Sequence, residues 1–321
     1  MSLSIGSNII PKYIDECALY LQKPPGSVCM SDGMVREVGR TIGAAGKPPE
    51  ILSVAKQKTG CTTERCVLQK LAPVLGESRV KAEINTYLKL TGPTDTQLLS
   101  NVNIDRTLQQ WALKFSDFFP YNFNMINYAT HSYRDGYIYN TPDTLATIHF
   151  IDLYTGEYDG RKYRCAACVI NSDTYQGPGK HWMALFADAR DDERWTVEFF
   201  NSSGNAPAPE WVSWMERTKL EMEMISERFR KYVDVDVVRV SSIRQQKSRT
   251  ECGVYSLFYI WSRLNGVPYE YFRENRISDE LMFEFRQHLF ASDAPWNVEV
   301  GENIKKFDWD KFQSMVRIQW E

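Results

Sequence analysis

No apolar run among the 321 residues approaches the length that crosses a bilayer, so no membrane partner is expected. A one-sided charge is missing as well. The 38 basic residues stand against 41 acidic ones, for a net charge of −3, which gives no reason to expect a nucleic-acid partner. Internal repeats and low-complexity tracts are absent, which argues against a repeat architecture. The start, Met1-Ser-Leu-Ser-Ile-Gly-Ser, has no basic stretch leading into an apolar one, and Ser2 is not glycine. Neither a signal peptide nor N-myristoylation is therefore expected. The seven cysteines, Cys17, Cys29, Cys61, Cys66, Cys165, Cys168 and Cys252, are odd in number and irregularly spaced. Without a signal peptide they read as reduced thiols of a cytosolic or nuclear protein.

Core-forming material is plentiful, at 43% hydrophobic and 13% aromatic residues. That suits one large domain, or a domain with an appendage, and argues against disorder. Residues 1 to about 97 read as a helical region, with amphipathic pieces at Tyr13–Gln22, Met34–Ile42, Glu64–Leu75 and Val80–Leu90. Breaks fall at Pro24-Pro25-Gly26 and Gly46-Lys-Pro-Pro49, and Thr91-Gly-Pro-Thr-Asp95 marks a boundary. Beyond it, Leu108, Trp111, Phe115 and Phe118 share a helical face. Strands are expected at Thr147–Asp152, Cys165–Ile170, His181–Phe186, Trp195–Phe200 and Val235–Val240. Helices are expected at about Glu210–Tyr232, at Gly253–Leu264 (apolar on nearly all sides) and at Asp279–Phe290. The aromatic-rich tail 293–321 is expected to dock. Helices at both ends of a set of strands indicate an α+β domain rather than an alternating βαβ fold.

Within this frame, Cys252 stands just before Gly253 and an apolar helix. A cysteine is a nucleophile only as thiolate, and a helix N-terminus or an imidazole partner favours that form. His181 heads an apolar strand, and Asn201 closes the next one 20 residues later. Two antiparallel strands joined by the charged turn Asp188–Arg194 would bring these ends together, with Phe199 and Asn201 on one face and Glu198 and Phe200 on the other. An asparagine carbonyl could then accept the Nδ1 proton of the imidazole and fix the ring. Gln246 could offer its amide to a developing oxyanion beside the Cys252 N–H, with Gln245 as a neighbour easily confused with it. Taken singly, each has a plainer reading: buried structural cysteine, strand histidine, turn asparagine, surface glutamine. Cys165-Ala-Ala-Cys168 has the spacing of half a zinc site, but a second pair is missing and strand alternation would point its thiols to opposite faces. His131, His149 and His288 show no ligand spacing. No metal and no cofactor are expected.

His181-Trp182, Asn201 and Gln246 with Cys252-Gly253 resemble, in order and spacing, the SUMO-protease and adenovirus-protease superfamily of cysteine peptidases. Within it they are similar to the polyprotein-processing proteases of African swine fever virus and related large DNA viruses. This similarity is carried by Asn103–Ala112, Gly177–Trp182, Glu198–Asn205, Thr250–Ile260 and Arg276–Glu280, across residues 98–292. Cys61-Thr-Thr-Glu-Arg-Cys66 extends it into the N-terminal region. Asn201 stands where cellular SUMO proteases usually carry aspartate, as in the viral branch. The resemblance implies a papain-related core, a central mixed sheet flanked by helices, with an N-terminal helical region. The expected domains are then 1–97 (N-terminal helical arm), 98–292 (cysteine protease core) and 293–321 (C-terminal extension), the last with no counterpart in the resemblance. It also implies cleavage after Gly-Gly in structural polyproteins, in host cytoplasm and virion. Trp182 would help to form a narrow substrate tunnel, although a core tryptophan is an equally good reading. A deconjugating protease acting on ubiquitin-like proteins, an acyltransferase, or an inactive module that binds Gly-Gly tails would share the same parts. Oligomeric state is not legible.

Overall fold

The structure, a computed structural model, describes residues 15–292, so the tail 293–321 and the start of the expected piece Tyr13–Gln22 lie outside it. The described chain forms two compact units, residues 15–95 with 284–292, and residues 96–283.

The smaller unit carries α1 (Asp32–Ile42), α2 (Pro48–Thr59), α3 (Glu64–Leu75), α4 (Glu77–Tyr87) and β1 (Leu90–Thr91). Ser31 and Thr63 cap α1 and α3, accepting from the amides of Met34 and Cys66. The Pro48-Pro49 pair, expected to break the chain, instead opens α2. Proline suits the first helical turn, where its missing N–H has no intrahelical partner to lose. Two disulfides, Cys17–Cys29 and Cys61–Cys66, overturn the reading of all seven cysteines as reduced. The fold brings Cα atoms to 5.0 and 5.6 Å, a juxtaposition that spacing does not disclose. Between the pairs, the buried Glu64 carboxylate accepts from the amides of Cys29 and Met30.

In the larger unit, α5 (Asn101–Trp111), β2 (Phe118–Pro120), β3 (Asn124–Met125), β4 (Ser132–Arg134), β5 (Tyr137–Tyr139), α6 (Thr144–Thr147) and α7 (Phe150–Thr155) precede the main sheet strands. These are β6 (Cys165–Asn171), β7 (Trp182–Asp188), β8 (Arg194–Phe200) and, after α8 (Pro209–Arg228), β9 (Asp234–Val240). Then follow α9 (Cys252–Leu264), α10 (Tyr269–Glu274) and α11 (Asp279–Leu289); residues from 284 on, with β10 (Phe290–Ala291), belong to the smaller unit, where β10 pairs with β1.

The main sheet is mixed, ordered β2-β6-β7-β8-β9, with β3 also on β6. β7 runs antiparallel to both neighbours, while β8–β9 and β2–β6 are parallel. One face packs on α8 through Leu185, Val197 and Phe199 against Trp211, Met215 and Met222. The other carries α9, with Phe200 stacked on Tyr259 at 4.5 Å.

Two expected elements differ. Thr147–Asp152 is not a strand: Asp143 caps α6 by accepting from Thr144 N, and the buried residues Leu145 with Ile148, and Phe150 with Leu153, follow helical spacing. The helical face expected to run on to Phe115 and Phe118 stops with α5 at Trp111, and Phe118 opens β2. Asp188–Arg194 is less solvated than its composition suggests, because Asp188 is buried against Arg190 and Arg263.

Candidate active site

Strand register assembles the site. Ala184 of β7 lies opposite Phe200 of β8, so the start of β7 and the end of β8 share one edge of the sheet. His181 precedes β7 and Asn201 follows β8. His181 Nε2 lies 2.7 Å from Asn201 Oδ1. An amide oxygen only accepts, so Nε2 carries the hydrogen and Nδ1 is the basic nitrogen, the reverse of the tautomer expected above. Asn201 is itself held: Oδ1 accepts from Ser203 N (3.0 Å) and Ser203 Oγ (2.9 Å), and Nδ2 donates to the Asn205 carbonyl (3.0 Å). Gly204 lets this turn close, since a Cβ there would stand 3.2 Å from the Arg244 backbone.

Cys252 is the first residue of α9, a helix buried along its whole length. Its thiol faces the backbone amides of Trp182, the residue after His181, of Gly253 and of Cys252 itself. Burial pushes the thiol pKa up and these amides oppose it. Burial pushes the His181 imidazole down, partly offset by its bond to Asn201, so the ring is neutral and able to take a proton. Gly253 is a close-approach position: a Cβ would meet Leu99 at 3.2 Å and the Trp182 ring at 3.3 Å.

The two glutamines separate cleanly. Gln245 is a strut, donating to the carbonyls of Phe272 and Asn275 and accepting from Ile277 N. Gln246 accepts from Ser202 Oγ at 2.9 Å, and one of its amide hydrogens goes to the Ser248 carbonyl at 2.9 Å. The backbone N–H groups of both glutamines also donate to the Ser202 carbonyl, so the Gln246 loop is moored to the residue next to Asn201. Glu198, on the opposite face of β8, binds Arg263 and Tyr259 of α9 and stands apart from His181.

Cys252 and Trp182 lie on a cleft of about 380 Å³. Its walls are Leu98, Leu99, Ser100 and Asn101 at the head of α5, the rings of Phe123, Tyr133 and Tyr175, and the turn Gly177–Lys180. The Trp182 indole is pinned by its N–H to the Leu99 carbonyl at 3.1 Å. Asp173 fastens the turn, accepting from Gly179 N and pairing with Lys180, and Asn171 accepts from Lys180 N. Of these walls only Gly177–Lys180 and Trp182 fall in a segment that stands out in the sequence; the others come from segments far apart in the chain. Among the described residues, no group of three or more His, Cys, Asp or Glu side chains could hold a metal ion.

Several known proteins resemble this chain. Residues 164–300 match the Ulp1 protease family, C-terminal catalytic domain. The chain is 40% identical over 243 residues to the cysteine protease of African swine fever virus (isolate Tick/Malawi/Lil 20-1/1983), covering 73% of this chain and 85% of that one. It is 24% identical over 231 residues to a protein of Acanthamoeba polyphaga mimivirus described as a thiol protease, covering 70% and 64%. A crystal structure of the African swine fever virus protease superposes with a TM-score of 0.69 at 33% identity, over 88% of this chain and 98% of that one. The chain therefore belongs to the Ulp1 protease family and is a cysteine endopeptidase of the kind found in these large DNA viruses.

Proposed function

We propose that this protease matures viral structural polyproteins by cutting after Gly-Gly, with Cys252 as nucleophile, His181 as base and Asn201 as the group that orients the ring. The observation that carries the roles is the thiol at the head of α9, on one cleft with Trp182, whose neighbour His181 is paired with Asn201. In the first step the Cys252 proton passes to His181 Nδ1 while sulfur attacks the scissile carbonyl carbon. The Cys252 N–H, with the second amide hydrogen of Gln246, stabilises the oxyanion. The tetrahedral species collapses, the imidazolium returns its proton to the leaving amine, and a thioester remains. Water, deprotonated by His181, then releases the acid and the thiol.

A Gly-Gly preference is supported by the crowding above Gly253. Leu99 and the pinned Trp182 ring approach it to van der Waals distance, so a strand entering beside the thiol passes most easily without side chains. Several African swine fever virus relatives carry the name SUMO-1 cysteine protease, which keeps ubiquitin-like conjugates as the second reading. The test incubates the protein with Gly-Gly-Xaa peptides, matched Ala-Gly and Gly-Ala peptides, and ubiquitin-like precursors. Cleavage after Gly-Gly with loss of about tenfold or more on either alanine replacement is expected. Equal cleavage of all three peptides would remove the specificity reading, and faster turnover of the ubiquitin-like precursors would favour deconjugation.

A further inference from the structure

The ribbon β4–β5 is built for something the peptide cleft alone does not explain. Its turn, Asp135-Gly136, has positive φ at both residues (50° and 83°), the signature of a tight two-residue hairpin loop. Tyr133 of β4 turns into the cleft, parallel to the Tyr175 ring at 6.1 Å and edge-on to Phe123. Directly opposite Tyr133 in the register is Ile138, flanked by Tyr137 and Tyr139. These three side chains are 69%, 41% and 43% exposed. Side chains alternate across a strand, so exposure of all three leaves apolar surface open on both faces of the ribbon. Among the described residues β5 pairs only with β4, which leaves its outer backbone edge open too. A two-stranded ribbon gains little stability of its own, and consecutive exposed apolar residues on an open edge invite aggregation, so such a feature needs a use.

We propose that this ribbon is an exosite for the protein substrate, gripping an extended apolar segment that flanks the scissile peptide. The occupant follows from continuity. The ribbon whose inner residue walls the cleft presents an open strand edge and aromatic faces immediately outside it, so an extended chain leaving the cleft runs onto β5. It would add as a further strand, its backbone on the β5 edge and its alternate apolar side chains on Tyr137, Ile138 and Tyr139. The inference rests on the reading of the cleft as the protease site, not on the Gly-Gly preference.

The test uses the full-length protein. A short cleavable peptide is compared with the same peptide extended, at either end, by a segment rich in Leu and Phe or by one of Ser and Thr. The apolar extension should raise kcat/KM by about tenfold over the polar one, mainly through KM. In Tyr137→Ser/Ile138→Ser/Tyr139→Ser that ratio should collapse towards one while the short peptide is cut as before. Independently of cleavage, Cys252→Ala carrying a photo-crosslinking phenylalanine analogue at position 137 should capture the apolar extension. Retention of the ratio by the triple variant would overturn the proposal. So would a crosslink only to residues 293–321 of the same chain, or a dimer that the triple substitution dissociates. Absence of Gly-Gly preference with a capturing ribbon would sink the specificity reading and leave the exosite standing.

Discussion

At the scale of single residues, Cys252, Asn201 and Asp105 each have consequences that can be measured. Cys252→Ala should abolish peptide cleavage and leave the circular dichroism spectrum and Tm nearly unchanged, because the thiol packs as a small side chain in a helix otherwise held by its neighbours. Thiol alkylation monitored by mass spectrometry should show inactivation tracking modification of Cys252.

Asn201→Ala removes an orienting acceptor but neither reactive atom, so kcat should fall by about 10- to 100-fold and less than in His181→Ala. Asn201→Asp is not a simple substitute. Its second oxygen would replace the amide that now donates to the Asn205 carbonyl, setting two acceptors against each other. Its charge would also raise the His181 pKa. The acid limb of the pH–kcat/KM profile, low in the parent because burial depresses His181, should therefore move upward in Asn201→Asp. An unmoved limb would take His181 out of the base role.

Asp105 lies behind the aromatic wall, accepting from the Phe123 amide at 2.6 Å. Burial first, with Asp143 adding, pushes its pKa up to about 7 from 3.8. The folded state therefore favours the protonated form, and this contribution is fully present below about pH 4 and lost as pH rises through 7. Asp105→Asn should flatten that part of the stability–pH curve, gaining roughly 2–4 kcal/mol relative to the parent above pH 7 in urea denaturation.

At the scale of elements, the seating of α9 on the strands β7 and β8 is what sets Cys252 beside Trp182, the residue after His181. A buried charge cluster ties them away from the chemistry. Arg263 of α9 donates to Glu198 of β8 at 2.7 and 2.9 Å and reaches Asp188 at 3.2 Å, while Tyr259 donates to Glu198. Breaking one partner leaves a buried charge alone, so Arg263→Ala or Glu198→Ala should each destabilise by about 3–5 kcal/mol. The double substitution should cost clearly less than the sum, since both remove the same pair. Additive losses in chemical denaturation would mean the cluster is not a unit.

At the scale of the whole molecule, the disulfides and the chain path set the expectations. Closing the loop between Cys17 and Cys29 restricts the unfolded chain. Cys17→Ser/Cys29→Ser should lower the stability of the folded arm by about 2–3 kcal/mol. Alkylation of the unfolded, unreduced protein should label Cys165, Cys168 and Cys252 and spare the other four. Labelling of all seven would contradict the pairing. Deleting residues 1–97 would do more than remove an arm, because Leu90 and Thr91 pair with Phe290 and Ala291, and Arg286 and Gln287 donate to the carbonyls of Pro93 and Thr94. Such a truncation should lose stability and, with it, cleavage of short and long substrates alike.

The sequence by itself determined the local units, because their causes are local. Apolar spacing specified α3, α9, β6, β8 and β9 within a few residues, and the order His181, Asn201, Gln246, Cys252-Gly253 carried the family. The twenty-residue separation of His181 and Asn201 sufficed to pair two strand ends, since an antiparallel hairpin has a predictable reach. Where local signals compete, the sequence misleads: Pro48-Pro49 looks like a break and is a helix start, and β-branched Thr147–Asp152 looks like a strand but closes α6, capped by Asp143, and opens α7, where the Glu221 carboxylate accepts from the Phe150 amide. Only the tertiary structure decided which ring nitrogen faces Asn201, which of Gln245 and Gln246 is the strut, which cysteines pair, and that residues 284–292 return to the N-terminal unit. Each depends on groups distant in the chain, and no periodicity within a segment records what a fold will set beside it.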